Sequence, residues 1–242
     1  MRKIYILVTL FILTLNLFAQ DTIRVYFDEN WKKIERIEDA AYYRKLFKKC
    51  DLWYAKDYYL RGQLQMEGSF TNKKCTKRSG AFTYYSEDGT IDFKGAYIKN
   101  KYEGIWNWYH LNGQKSSEEL YFKGKRIKAE YWDANGMRVD STEGEHMARF
   151  NGSVQGFRKY VDSKLKYPES AVNQEDEGRV YVSFVVEKDG SLSNIKAVKS
   201  VGKALTEEAL RVVRSSPKWE PAKQHNRFVR IHYTFPITFI LI

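Results

Sequence analysis

The sequence predicts an α+β protein in two parts: an N-terminal antiparallel array of β-hairpins, then a small unit ordered helix, hairpin, helix, strand. Three observations predict it. The stretch "YEGIWNWYHLNGQK" (Tyr102–Lys115) repeats the pattern of "SGAFTYYSEDGTIDFKGAYIKNK" (Ser79–Lys101) at one constant offset, that from Gly80 to Gly104. Its aromatic residues alternate with polar ones, as in a half-buried strand, and Asn-Gly or Asp-Gly closes each turn. Beyond a polar stretch that begins near residue 141 the aromatic pattern stops, and apolar residues at helical spacing appear.

The chain opens "MRKIYILVTLFILTLNLFAQ": two cations, an apolar run from Ile4 to Phe18, then Ala19. A positive n-region, a short h-region and a small residue describe a secretory signal over residues 1–19. The run is shorter than the roughly 20 residues that span a bilayer as a helix. The alternative is an uncleaved N-terminal anchor in the inner membrane. Cleavage removes Arg2 and Lys3 and no acid, leaving 39 of the 41 cations against 30 acids. Export argues against nucleic acid as a partner for this basic chain. Anionic lipid head groups (a peripheral membrane association), cell-wall polymer and acidic protein surfaces fit it better. The plainer reading is solubility, since the charges of both signs are interleaved.

Residues 20–53 read as a leading β segment or cap. Residues 54–140 hold the repeats: Gly80 aligns with Gly104, Phe82 with Trp106, and Asp88-Gly89 with Asn112-Gly113, and Asn135-Gly136 recurs at nearly the same offset again. Gly80, Gly89, Gly104, Gly113 and Gly136 are the candidate turn glycines. In the strongest copy Trp106 and Trp108 face one way and Ile105, Asn107 and Tyr109 the other. One hairpin cannot bury such aromatics alone, but stacked hairpins can. The pattern Gly-x-Trp-x-x-Tyr-x-x-Asn-Gly, followed by Tyr-x-x-Gly-Lys, resembles the bacterial variant of the MORN-type repeat. That resemblance implies an elongated antiparallel sheet and no chemistry. Only two cysteines are present, Cys50 and Cys75. Their separation is close to one repeat period, so they are read as a candidate disulfide between neighbouring rungs, with two unconnected thiols as the alternative.

Residues 141–153 are polar, rich in small residues and without periodicity, and read as a linker. In the unit 154–242, Phe157, Tyr160, Val161 and Leu165 form the apolar face of a helix ending before Tyr167-Pro168. "GRVYVSFVVEKDGSLSNIKAV" reads as a hairpin turning at Asp189-Gly190. "LTEEALRVVRSS" reads as a helix capped by Thr206, with Leu205, Ala209, Val212 and Val213 buried. Pro217 stops it, and Trp219-Glu220-Pro221 leads into a last strand.

"YPESA", "EGRVYVSFVVEKDGSLSNIKAVKSVG", "LTEEALRVVRSSPKWEPA" and "TFPITFIL" together resemble the C-terminal domain of the TonB family, from Lys164 to Leu241. The elements at Tyr167, Pro168, Gly178, Asp189, Gly190, Trp219 and Pro221 arrive in the family's order. The segment "KQHNRFVRI" departs from it, lacking the glycine usual before the last strand. The resemblance implies a periplasmic domain that grips a segment of an outer-membrane transporter or other envelope protein by adding it to a sheet edge, a role in transmembrane transport. The pairing strand, Val229 to Phe239, would carry Arg227, Val229, Arg230, Ile231, His232, Tyr233 and Phe235, with Arg227, Arg230 and His232 steering the partner. The competing reading is a closed, self-paired sheet or a solvated edge. A family transducer also needs an anchor and a long proline-rich span. Here the four prolines are Pro168, Pro217, Pro221 and Pro236, all in the C-terminal unit. A structural module that binds cell-wall polymer, or an anchored transducer, are the alternative functions.

No catalytic motif is present, and His110, His146, His225 and His232 lack metal-ligand spacing. The sequence therefore predicts no enzyme, no metal and no cofactor. The acidic runs "SEEL" and "NQEDEG" read as exposed turns.

Overall fold

The computed structural model describes residues 22–241, so the proposed signal or anchor lies outside the described residues. The N-terminal strands are β1 (Ile23–Phe27), β2 (Lys33–Ile34), β3 (Tyr42–Lys49), β4 (Leu52–Tyr59), β5 (Leu64–Phe70), β6 (Arg78–Tyr85), β7 (Ile91–Ile98), β8 (Lys101–Tyr109), β9 (Lys115–Phe122), β10 (Lys125–Trp132) and β11 (Arg138–Val139). They form one antiparallel sheet in which every strand from β3 to β11 lies beside the next in sequence. The predicted leading segment is thus part of this sheet.

Each repeat contributes two strands and one turn of constant design. The amide of Gly89 donates to the Ser86 carbonyl and Ser86 to Thr90; Gly113 to His110 and His110 to Gln114; Gly136 to Asp133 and Asp133 to Met137. Only the glycine of each Asp-Gly or Asn-Gly pair has a positive φ, 82–87°. This is a three-residue loop with a glycine bulge, not the two-residue turn in which both residues are left-handed. The opposite end of the sheet uses that two-residue turn, at Lys99-Asn100 and Lys123-Gly124. Gly80 and Gly104 are not turn residues: they sit inside β6 and β8 with φ of 89° and 68°. A left-handed residue within a strand marks a bulge, hence glycine there.

One face of the sheet is buried by rings laid over glycines. Phe82 lies between Gly68 and Gly95 on the flanking strands. A Cβ on Gly68 would fall 2.3 Å from the Phe82 ring, and one on Gly95 would fall 2.2 Å from the Trp106 ring. Trp106 and Trp108 are buried on this inner face while Ile105 is exposed on the other. Burying one such large side chain stabilises the fold by about 1.5–3 kcal/mol.

The predicted bridge does not form: Cys50 and Cys75 are both free thiols. Cys50 sits in the β3–β4 turn and Cys75 in the β5–β6 turn. One repeat period equals two strands, which places those turns about 10 Å apart, beyond the roughly 7 Å between Cα atoms that a disulfide tolerates.

The C-terminal unit comprises α1 (Ser141–Gly144), α2 (Val154–Lys164), α3 (Glu169–Asn173), β12 (Gly178–Val186), β13 (Leu192–Lys199), α4 (Lys203–Arg214), β14 (Ala222–Gln224), β15 (Arg227–Val229) and β16 (Ile231–Phe239). Strands β13, β12 and β16 form a sheet in that order. Phe157 and Val161 of α2 and Leu205, Ala209, Val212 and Val213 of α4 pack on Val180, Val182, Phe184, Phe235, Ile237 and Phe239. Helix α4 starts at Lys203, one turn before the predicted cap; Thr206 lies within it and donates to the Gly202 carbonyl. Residues 141–153 are no free linker. Ala148 and Phe150 are buried in this core, and His146 and Arg149 bridge to Lys223 and Glu220. Among the described residues no helix is long and apolar enough to cross a membrane.

Candidate functional site

Strand β16 pairs along its whole length with β12 on one side, Ile231 opposite Val186 through to Phe239 opposite Gly178. Among the described residues no strand pairs with its other side. Two-residue alternation turns Phe235, Ile237 and Phe239 into the core, so His232, Thr234, Pro236 and Thr238 lie on the opposite face. Backbone groups alternate in the same way between the two edges. Proline has no N–H, and a strand paired on one side tolerates it only where that nitrogen faces away from the partner. Pro236 therefore sets the phase: His232, Thr234 and Thr238 present their N–H groups to the free edge, and position 236 interrupts them.

The proposed edge residues are divided by the structure. Ile231, Tyr233 and Phe235 belong to β16, with Tyr233 stacked on Phe184 and its hydroxyl donating to the Ala148 carbonyl at 3.0 Å. His232 lies on the outer face. Arg230 is held by Glu187 at 2.6 and 2.8 Å, which keeps that carboxyl below the ordinary glutamate range. Arg227 and Val229 are not in the final strand. They form β15, which pairs with β14 through a turn at His225-Asn226.

That turn is what the sequence reading missed. In "KQHNRFVRI" both His225 and Asn226 adopt positive φ, 54° and 53°, in place of the usual glycine. The His225 ring stacks on Trp108 with centroids 3.8 Å apart and planes 7° from parallel, and its Nδ1 meets Glu119 Oε1 at 2.5 Å. Asn226 donates to the Trp132 carbonyl at 2.6 Å, and Arg227 bonds Asp92 and the Tyr109 carbonyl. The hairpin thus seats the C-terminal unit on the inner face of the large sheet.

The socket is a departure from the repeat. One period after Gly95 stands Glu119, and one period after Phe93 stands Ser117. Glu119, expected in an exposed turn, lies in β9 and is fully buried. Burial alone raises its pKa. Hydrogen bonds from His225 and Tyr121, with the charges of His225 and Arg126, outweigh that and hold it below the ordinary value of 4.5. A depressed carboxylate stabilises the fold above its unfolded pKa, and this contribution is lost as pH falls through the folded value. The melting temperature should therefore fall on acidification below 4.5. Glu119→Gln should cost about 2 kcal/mol at neutral pH, on the scale of hydrogen bonds to charged groups, and should flatten that acid limb in pH-dependent thermal melts.

Glu119, Glu145 and His225 also bring one potential metal-ligand atom each within 4.8 Å of one another. Arg126 already engages Glu145 through both nitrogens at 2.5 and 2.7 Å and reaches Glu119 at 3.4 Å. A guanidinium occupies the cation's place, so the cluster does not suit a metal.

The motif residues hold the C-terminal unit together. Tyr167 donates to the Asp176 carbonyl at 2.5 Å, Pro168 precedes α3, and Gly178 opens β12 with φ of 134°. Gly190 and Trp219 join through the Trp219 amide, 2.8 Å from the Gly190 carbonyl. The Trp219 ring packs on Phe150, Phe157 and Phe184, and Pro221 follows it. Residues 163–241 match the family described as the Gram-negative bacterial TonB protein C-terminal. Residues 163–241 are a TonB C-terminal domain. Protein TonB of Helicobacter pylori (strain ATCC 700392 / 26695) is 34% identical over 82 residues, which cover 34% of this chain and 27% of that protein. The chain thus spans about a quarter of that relative's length. Two solution structures of the Helicobacter pylori TonB C-terminal domain are each 30% identical. The shorter covers 36% of this chain and 91% of its own at a TM-score of 0.29; the longer covers 37% and 80% at 0.31. The TonB-type domain is preceded here by the large antiparallel sheet.

Proposed function

We propose that the TonB-type domain binds an extended segment of an envelope protein, such as an outer-membrane transporter, by strand addition along the free side of β16. The observation that carries this reading is the unpaired edge of a strand otherwise fully laddered to β12. Such an edge offers main-chain donors and acceptors in a row, and an incoming strand gains affinity from them. The family match supports a site in the periplasm and a link to transport across the outer membrane. The large sheet, read as a MORN-like array, serves as the platform that orients this edge. The pairing is metal-free and non-catalytic.

A photo-crosslinking side chain at Thr234 in intact cells tests the reading, because that position lies on the free edge. Capture of an outer-membrane or periplasmic protein is expected. Thr234→Pro removes one edge N–H while sparing the β12 ladder, and should weaken capture at least 10-fold with an unchanged circular dichroism spectrum. Equal capture by this variant, or no envelope protein recovered, would overturn the proposal.

A further inference from the structure

The docked hairpin covers only part of the inner face of the large sheet. On the side toward β1 the face remains open as a cleft of about 400 Å³, within the roughly 300–1,000 Å³ usual for small-molecule sites. Its walls include the rings of Trp31, Tyr59, Tyr84 and Phe93 and the polar pair Arg44 and Asp57. Asp92, which Arg227 holds, closes the end nearest the hairpin.

Three features define what fits. The cleft has no strand edge, since every strand from β3 to β8 is paired on both sides, so an extended peptide finds no ladder to join. Its carboxylates are already neutralised: Arg44 grips Asp57 at 2.6 and 2.7 Å, and Arg227 grips Asp92. A cationic ligand gains little there, and the one further charge on the lining, Arg78, already lies over the Tyr97 ring. Broad ring faces beside fixed polar groups suit a ligand with apolar C–H faces and many hydroxyls.

Trp31 supplies the independent observation. It stands at the cleft with φ of 60°, a left-handed conformation that is a genuine outlier for a bulky side chain. Such strain persists where the surroundings enforce it and clusters at ligand clamps. The turn from Asp28 to Lys32 enforces it here, through the bonds of the Asn30 and Lys32 amides to the Asp28 carboxylate. The indole stacks on Tyr42 with centroids 4.6 Å apart and planes 7° from parallel, and is still 38% exposed. A tryptophan held in this posture and left partly open is placed to cover a ligand.

We infer that this cleft binds an uncharged glycan segment, with Trp31 and Tyr59 stacking on sugar rings and Arg44 and Asp57 bonding hydroxyls. The inference does not rest on the β16 reading. Isothermal titration of the full chain with chitotetraose and with maltotetraose tests it. Saturable binding of at least one is expected, weakened at least 10-fold in Trp31→Gly and in Tyr59→Ala. Trp31→Gly removes the ring and relieves the left-handed strain, so its melting temperature should not fall; an unfolded Tyr59→Ala leaves Trp31→Gly to decide. Thr234→Pro should bind the glycan as the parent does, which separates the two sites. Absence of saturation by both glycans, or parental affinity in Trp31→Gly, would overturn the inference.

Discussion

Trp106→Ala is expected to destabilise the protein by about 3–5 kcal/mol, the range for emptying a buried tryptophan site. Trp106 has no exposed surface, covers Gly95, stacks on Tyr102 at 4.0 Å and meets Tyr97 edge-on at 4.9 Å. Its indole N–H donates to the Ala96 carbonyl at 3.0 Å, so truncation also removes a partly buried hydrogen bond. The glycine beneath cannot fill the space, and the neighbouring rings are fixed by their strands, so the cavity does not collapse. Urea unfolding followed by near-ultraviolet circular dichroism reads the loss as a lower midpoint. A change under about 1 kcal/mol would contradict the ring-over-glycine packing.

Gly190→Ala should be nearly as costly, at about 3 kcal/mol, from overpacking and left-handed strain together. A Cβ there would fall 2.0 Å from the Trp219 carbonyl oxygen, and the residue has φ of 81°. The backbone around Trp219 must then move away from the β12–β13 turn. That shift strips the Gly190–Trp219 hydrogen bond and unseats a ring that Phe150, Phe157 and Phe184 surround. Thermal melts of the variant, with near-ultraviolet signals to report tertiary packing, should show both effects. Replacement of Asp189, exposed in the middle of the same turn, should be far milder.

Much of the fold could be read in advance because it follows periodicity. Leu205, Ala209, Val212 and Val213 line up at helical spacing and all four are buried. Trp106 and Trp108 share a face because they are two residues apart in a strand. The free edge of β16 is invisible to periodicity, since pairing is a property of neighbours. The β14–β15 hairpin was hidden for another reason: its left-handed turn uses His225-Asn226, which lacks the glycine signal. Glu119 looked like one more surface acid in "SEEL". Its signal was its phase, where a glutamate replaces the glycine that accepts a ring in the preceding copy. A mismatch within a repeat, more than the repeat itself, pointed to the place where the two units meet.

The nine-residue ladder between β12 and β16 has a mechanical consequence. Its hydrogen bonds lie across the strand axis. Tension drawn along β16 by a captured chain would load all of them at once, in shear, and not one after another as in unzipping. The hairpin that precedes β16 is pinned through Asn226 and Arg227 to β7, β8 and β10. Force would therefore enter the large sheet through its interior strands, where neighbours on both sides resist peeling.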